Sequence, residues 1–176
     1  MYKRLIIYST TDGQTKLICE RIKSLSQFNN QTKLIGIDKA KNEDLKSYEV
    51  IIMGASIRYG KHNTSVIDFV KENREILKMK KSVFFSVNVV ARKEDKNSPE
   101  TNPYVVKFLK LTKWNPEKKA VFAGKIDYPK YSFLDRHIIR LIMFITKGPT
   151  DLSKSFEFTD WAKVDDFTKE IDLISI

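Results

Sequence analysis

Five short, continuously apolar runs separated by helical patterns set the tightest limit on what this chain can fold into. Leu5–Tyr8, Leu34–Ile37, Val50–Met53, Val83–Val87 and Ala120–Ala123 read as strands, and only Ser86 is polar within the fourth. Strands that are apolar at every position have two buried faces, which indicates a parallel sheet covered by helices on both sides. The intervening segments supply those helices. Leu17, Ile18, Ile22 and Leu25 recur at helical spacing, as do Val66, Phe69, Val70 and Leu77, and Tyr104–Leu111 forms a third helix. Right-handed crossovers leave few topologies for such a chain. After the fifth strand the alternation fails, because residues 125–155 form no simple helix-then-strand unit. Phe156–Phe158 then looks like a strand fragment. Trp161–Ile174 looks like a closing helix with Trp161, Val164, Phe167 and Ile171 inward. The expectation is one domain over residues 1–176, with an insertion at about 125–155 in the fifth strand.

Length and composition fit a single α/β domain. With 176 residues, 41% hydrophobic and 31% charged, the chain is neither disordered nor of low complexity. Cys19 is the sole cysteine and only two histidines accompany it, so a disulfide scaffold and a zinc module are both out and no metal site is expected. No secretory signal is visible at the N-terminus, and no apolar stretch is long enough to span a membrane. Net charge is +10, unevenly spread. Residues 101–147 hold ten Lys/Arg against Glu117, Asp127 and Asp135, whereas 151–176 is acidic. A basic surface suits an anionic small molecule, anionic lipid or nucleic acid, and equally a plain solvated face. No basic–aromatic recognition module accompanies the charge, so nucleic acid is not expected.

In an open parallel sheet, ligands bind beyond the carboxyl ends of the strands. The first strand runs into Ser9, Thr10, Thr11, Asp12, Gly13, Gln14 and Thr15, and a helix starts at once. Free N–H groups and the positive dipole end of that helix suit a phosphate, and Gly13 permits close approach. Neither the Walker nor the dinucleotide glycine pattern is present. The same turn is also an ordinary strand–helix connection. The third strand ends in Gly54, Ala55, Ser56, Ile57, Arg58, Tyr59 and Gly60, and the fourth in Ser86-Val87-Asn88-Val89-Val90-Ala91-Arg92-Lys93. One phosphate-binding loop beside two mixed polar–apolar loops fits a mononucleotide carrying a large ring, and flavin mononucleotide (FMN) is the candidate. Tyr59 either packs on that ring or is a half-buried loop aromatic.

The hydroxyl-rich loop and strand pattern resemble the flavodoxin family. TDGQT (11–15), GASIRYG (54–60), SVNVVARK (86–93), Asp127-Tyr128-Pro129 and Thr159-Asp160-Trp161 together resemble one branch, the menaquinone-dependent protoporphyrinogen IX dehydrogenases. The similarity runs from about Tyr2 to Ile171. It implies a flavodoxin-like fold: a five-stranded parallel sheet of order 2-1-3-4-5, helices on both faces and an insertion in the fifth strand. It also implies an FMN enzyme that oxidises protoporphyrinogen IX to protoporphyrin IX in haem synthesis, passing electrons to menaquinone or ubiquinone. The positive net charge separates the chain from acidic carrier flavodoxins.

Within the insertion, Leu134, Ile138, Leu141, Ile142 and Ile145 share one helical face, which Ile139 and Met143 widen. Arg136, His137 and Arg140 lie opposite, with Phe144 among them. A wide apolar arc with a cationic rim suits a membrane interface, and the segment is too short to cross. A core or oligomer-interface helix has the same pattern. The expectation is a cytoplasmic protein held peripherally on the inner face of the cell membrane, with a homo-oligomer possible. Arg58, Arg92 and Lys93 are candidates to hold the substrate's propionates. His62 is expected to be an exposed loop histidine, and Cys19 an inert core residue. No catalytic acid–base pair stands out. The competing functions are a basic flavodoxin-like electron carrier without porphyrinogen activity and an NAD(P)H:quinone oxidoreductase, for which no nicotinamide motif is visible.

Overall fold

The computed structural model describes residues 3–174. In chain order they form β1 (Arg4–Ser9), α1 (Gln14–Leu25), β2 (Thr32–Gly36), α2 (Ile37–Ala40), β3 (Val50–Arg58), β4 (Lys61–His62), α3 (Thr64–Glu72), α4 (Arg74–Met79), β5 (Lys81–Val87), α5 (Pro103–Thr112), β6 (Lys118–Phe122), β7 (Lys125–Asp127), α6 (Phe133–Ile145), β8 (Ser155–Glu157) and α7 (Trp161–Leu173). The main strands pair in parallel in the order β2-β1-β3-β5-β6. With the short β4 set aside, this is the expected order of five.

Strand alternation builds two cores from one sheet. Leu5, Ile7, Ile51, Met53, Phe84 and Val121 point to one face, where Val66, Phe69, Val70, Leu77, Val105 and Phe108 from α3, α4 and α5 cover them. Ile6, Val50, Ile52, Val83, Phe85 and Phe122 point to the other, under Ile18, Cys19 and Ile22 of α1 and Val164, Phe167 and Ile171 of α7. Leu17 and Leu25, expected inward, are about half exposed, so the buried stripe of α1 is narrower than the spacing suggests. The helix expected around Val66–Leu77 is two helices, broken at Asn73, whose side-chain amide donates to the Phe69 carbonyl.

β3 and β4 form a tight hairpin in which Arg58 pairs with Lys61. Its two central residues, Tyr59 (φ 49°) and Gly60 (φ 75°), both have positive φ, as a type I′ turn requires.

The insertion leaves the sheet just past β6. Here β7 pairs antiparallel with β8, so the returning strand completes a separate two-stranded ribbon instead of re-entering the main sheet. Ile126, Tyr128, Tyr131 and Met143 form a small core of their own with Val89, Ile139, Leu152, Phe156 and Phe158. No described helix is long and apolar enough to cross a membrane.

Candidate active site

The chain reverses direction across the sheet at β1, with β2 on one side and β3 on the other. The crevice beyond the strand ends at such a switch point is where doubly wound sheets take ligands. A cleft lies there. Its walls are Thr10, Asp12, Gln14 and Thr15 after β1, Ser56–Gly60 after β3, and Val87–Val90 after β5. A concave, mostly apolar lining with a few convergent polar groups suits a small-molecule or cofactor site. The three loops singled out in the sequence therefore meet.

The first loop is built for an anion. Gly13 sits at φ 88°, and its N–H donates to Thr10 Oγ1 at 3.0 Å. α1 starts one residue later, so its first-turn N–H groups have no helical acceptors. Thr15 Oγ1 is buried and has no hydrogen-bond partner. A buried orphan hydroxyl in a cleft wall takes its partner from a ligand or an ordered water. Gln14 differs from expectation in its side chain, which donates to Thr159 Oγ1 (2.9 Å) and Glu157 Oε1 (3.2 Å), tying the loop to the segment that follows β8.

Across the cleft, Asn88 Oδ1 accepts from Ala91 N at 3.1 Å and so closes the turn that carries Val89 and Val90. Below it, Ser86 Oγ is shared by Asn88 Nδ2 (3.2 Å) and His62 Nε2 (3.0 Å). His62 is thus not the exposed loop residue expected. It lies in β4, 4% exposed, packed against Phe84 and Phe108. Burial pushes its imidazole down to about 4. Cys19 is buried as expected, and burial raises its thiol.

The insertion roofs the cleft. Ile139, Ile142 and Met143 of α6 line it, together with Gly124, Lys125, Ile126 and Tyr131. A charged network fastens this roof to the first two loops. Arg58 meets Asp12 at 3.3 Å and Asp135 of α6 at 3.0 Å, and its guanidinium lies over the Tyr59 and Tyr131 rings. The Tyr59 hydroxyl donates to Asp135, and the Tyr131 hydroxyl to Asp12. Burial raises the Asp12 carboxyl above its ordinary value, against the pull of Arg58 and Tyr131. Burial also pushes the Tyr131 hydroxyl up to about 12. At the far end of α6, Arg92 donates to the Thr146 carbonyl and hydroxyl.

Several singled-out residues support the cleft without lining it. Ala55 and Ala91 are buried behind it. Arg136 donates to the carbonyls of Tyr128, Pro129 and Tyr131, so it anchors α6 where a cationic rim was expected. Ile138, Arg140 and Leu141 face away from the cleft, as does Lys93. Sequence reasoning missed Tyr131 and Asp135 because their partners Asp12, Arg58 and Tyr59 are distant in the chain, and Tyr104 because it lines the cleft from the start of α5. The Tyr128-Pro129-Lys130-Tyr131 run was the one available signal for Tyr131.

Fold and cleft together define a flavodoxin-type domain, and the sequence matches the flavodoxin domain family over residues 5–153. Solved structures agree at the level of fold: flavodoxin 1 of Bacillus cereus superposes with a TM-score of 0.55 over 96% of both chains at 17% identity. The chain belongs, more narrowly, to the quinone-linked protoporphyrinogen IX dehydrogenase family. It is 40% identical to protoporphyrinogen IX dehydrogenase [quinone] of Escherichia coli K12, covering 96% of this chain and 94% of that one. It is 43% identical to the Leishmania major protein of the same name, covering 96% of this chain and 74% of that one.

Proposed function

We propose that the protein is an FMN-dependent oxidoreductase that converts protoporphyrinogen IX to protoporphyrin IX and passes the electrons to menaquinone or ubiquinone. The observation that carries this reading is the joining of three strand-end loops and an apolar insertion helix in one cleft, in a chain 40% identical over nearly its whole length to a protein of that name. Ser9–Thr15 would take the FMN phosphate, with the α1 N–H groups and the orphan Thr15 hydroxyl as donors. Ser56–Gly60 and Asn88–Val90 would flank the ring, backed by Ala55, Ala91 and Arg92. Bound FMN supplies two-electron redox chemistry. Six electrons and six protons leave the porphyrinogen, so one product molecule needs three quinones, each leaving as quinol. Ile139, Ile142 and Met143 exclude water above the ring.

The substrates are greasy, and α6 offers a matching surface. Phe133, Leu134, Leu141, Phe144 and Ile145 are 59–79% exposed, with Ile138 and Ile142 beside them at 37% and 44%. So much exposed apolar side chain on one helix marks an interaction site. Peripheral attachment of α6 to the cytoplasmic face of the membrane would present the cleft roof to quinone.

Anaerobic mixing of protoporphyrinogen IX with the FMN-loaded protein tests the reading. The yellow flavin absorbance should bleach on mixing and return when quinone is added. A flavin that stays oxidised in the presence of porphyrinogen overturns the enzyme assignment and leaves an electron carrier.

A further inference from the structure

A porphyrinogen carries two propionates, which call for cationic partners, yet the cations around the main cleft are already engaged. Arg58 faces both Asp12 and Asp135. Arg92 donates to the carbonyls of Val89 and Thr146. Arg136 is spent on three backbone carbonyls. Lys125 pairs with Asp127 at 3.5 Å.

A second, smaller cavity adjoins the cleft, sharing Gly60 and Tyr104 as walls. Lys61, His62, Ile67, Lys107, Phe108 and Leu111 complete it. The side chains of Lys61 and Lys107 are exposed and make no hydrogen bond or ion pair with any described residue. α5 carries Lys107 and Lys110 and no acid, so nothing on that helix competes for a ligand carboxylate. His62 is bonded to Ser86 and kept neutral by burial, and serves as wall. At Gly60, the wall the two cavities share, a Cβ would meet only the Tyr104 ring, at 4.0 Å.

Apolar floor and two unpaired ammonium groups match the two parts of a propionate arm, a methylene stem and a carboxylate. We infer that this side cavity is the carboxylate subsite for the porphyrinogen, with Lys61 and Lys107 as its specificity-determining residues. The inference rests on the function proposed above. It separates a dicarboxylate macrocycle from the neutral quinone that must use the same cleft.

The test titrates FMN-loaded full-length protein, in detergent, with protoporphyrin IX and with its dimethyl ester. The Lys61→Gln/Lys107→Gln double variant should bind the diacid about tenfold more weakly, as expected for two exposed charge pairs. Its affinity for the ester and its FMN content should match the parent. A Lys61→Arg/Lys107→Arg variant should recover diacid binding. Unchanged diacid affinity in the Gln variant, or an equal loss for diacid and ester, overturns the subsite. Because the readout is binding, a parent that binds the diacid selectively but never bleaches with porphyrinogen refutes the oxidase reading and leaves the subsite standing. A parent that turns over while the Gln variant keeps its KM for porphyrinogen refutes the subsite alone.

Discussion

Single residues show where local sequence suffices and where it does not. Gly13 was legible because its role is local: a strand ends, a helix begins, and only glycine adopts φ 88° without strain. Gly13→Val has room for its Cβ, since nothing lies within 4 Å, so the fold should survive. The backbone strain, roughly 2 kcal/mol, and the branched side chain both act against phosphate approach. The purified variant should be colourless, with FMN released on gel filtration, and a variant as yellow as the parent would refute the loop assignment. His62 was illegible because Phe84, Ser86 and Phe108, which bury it, come from β5 and α5. Its folded-state value of about 4 lies below the ordinary 6.5, so the unfolded chain binds the extra proton first as pH falls. Stability should therefore drop between pH 6.5 and about 4, by roughly 3 kcal/mol from this group. Denaturant titrations of parent and His62→Gln across that window should show a shallower pH slope in the variant.

At the scale of elements, α6 divides its labour by face. Ile139 and Met143 look inward, and Met143 is 2% exposed, whereas Leu134, Leu141 and Ile145 point outward. Helical periodicity exposed the wide apolar arc but not which part of it faces the protein, because that depends on Tyr128 and Tyr131 packing beneath. Changing Leu134, Leu141 and Ile145 together to Ser avoids the cleft. Full burial of such a side chain is worth about 1.5–3 kcal/mol, so even half burial of three predicts roughly a hundredfold weaker vesicle partition. FMN content and melting temperature should be unchanged. Vesicle binding equal to the parent, or a parent dimer that dissociates in the variant, would replace the membrane with a second copy as the occupant of this face. The fastening of α6 is weaker than its packing. Asp135→Asn removes the half-buried ion pair to Arg58 and should show as faster amide exchange in the first turn of α6 without loss of flavin.

For the molecule as a whole, the apolar runs indicated a parallel sheet covered on both faces, and the resemblance to flavodoxins supplied the order of its five strands. The β7–β8 ribbon followed from neither, since three-residue strands leave little pattern and antiparallel return was not encoded in any turn motif. The overall +10 charge also acts at this scale. Each Lys or Arg near an anionic leaflet adds about 1 kcal/mol, so vesicle sedimentation should decline with salt and level off above zero, because the apolar face of α6 is unscreened. Complete release by salt alone would mean that α6 stays out of the bilayer. The ribbon has one more consequence. Asp127 stands directly opposite Ser155, which places the two ends of residues 128–154 about 5 Å apart. The whole stretch is a cassette hung on one rung: a genetic event could splice it in or out, closing the gap with a short turn, without moving a strand of the parent sheet. An excised version should keep an open shelf at the strand ends and lose the ceiling that Tyr131, Ile139, Ile142 and Met143 place above it.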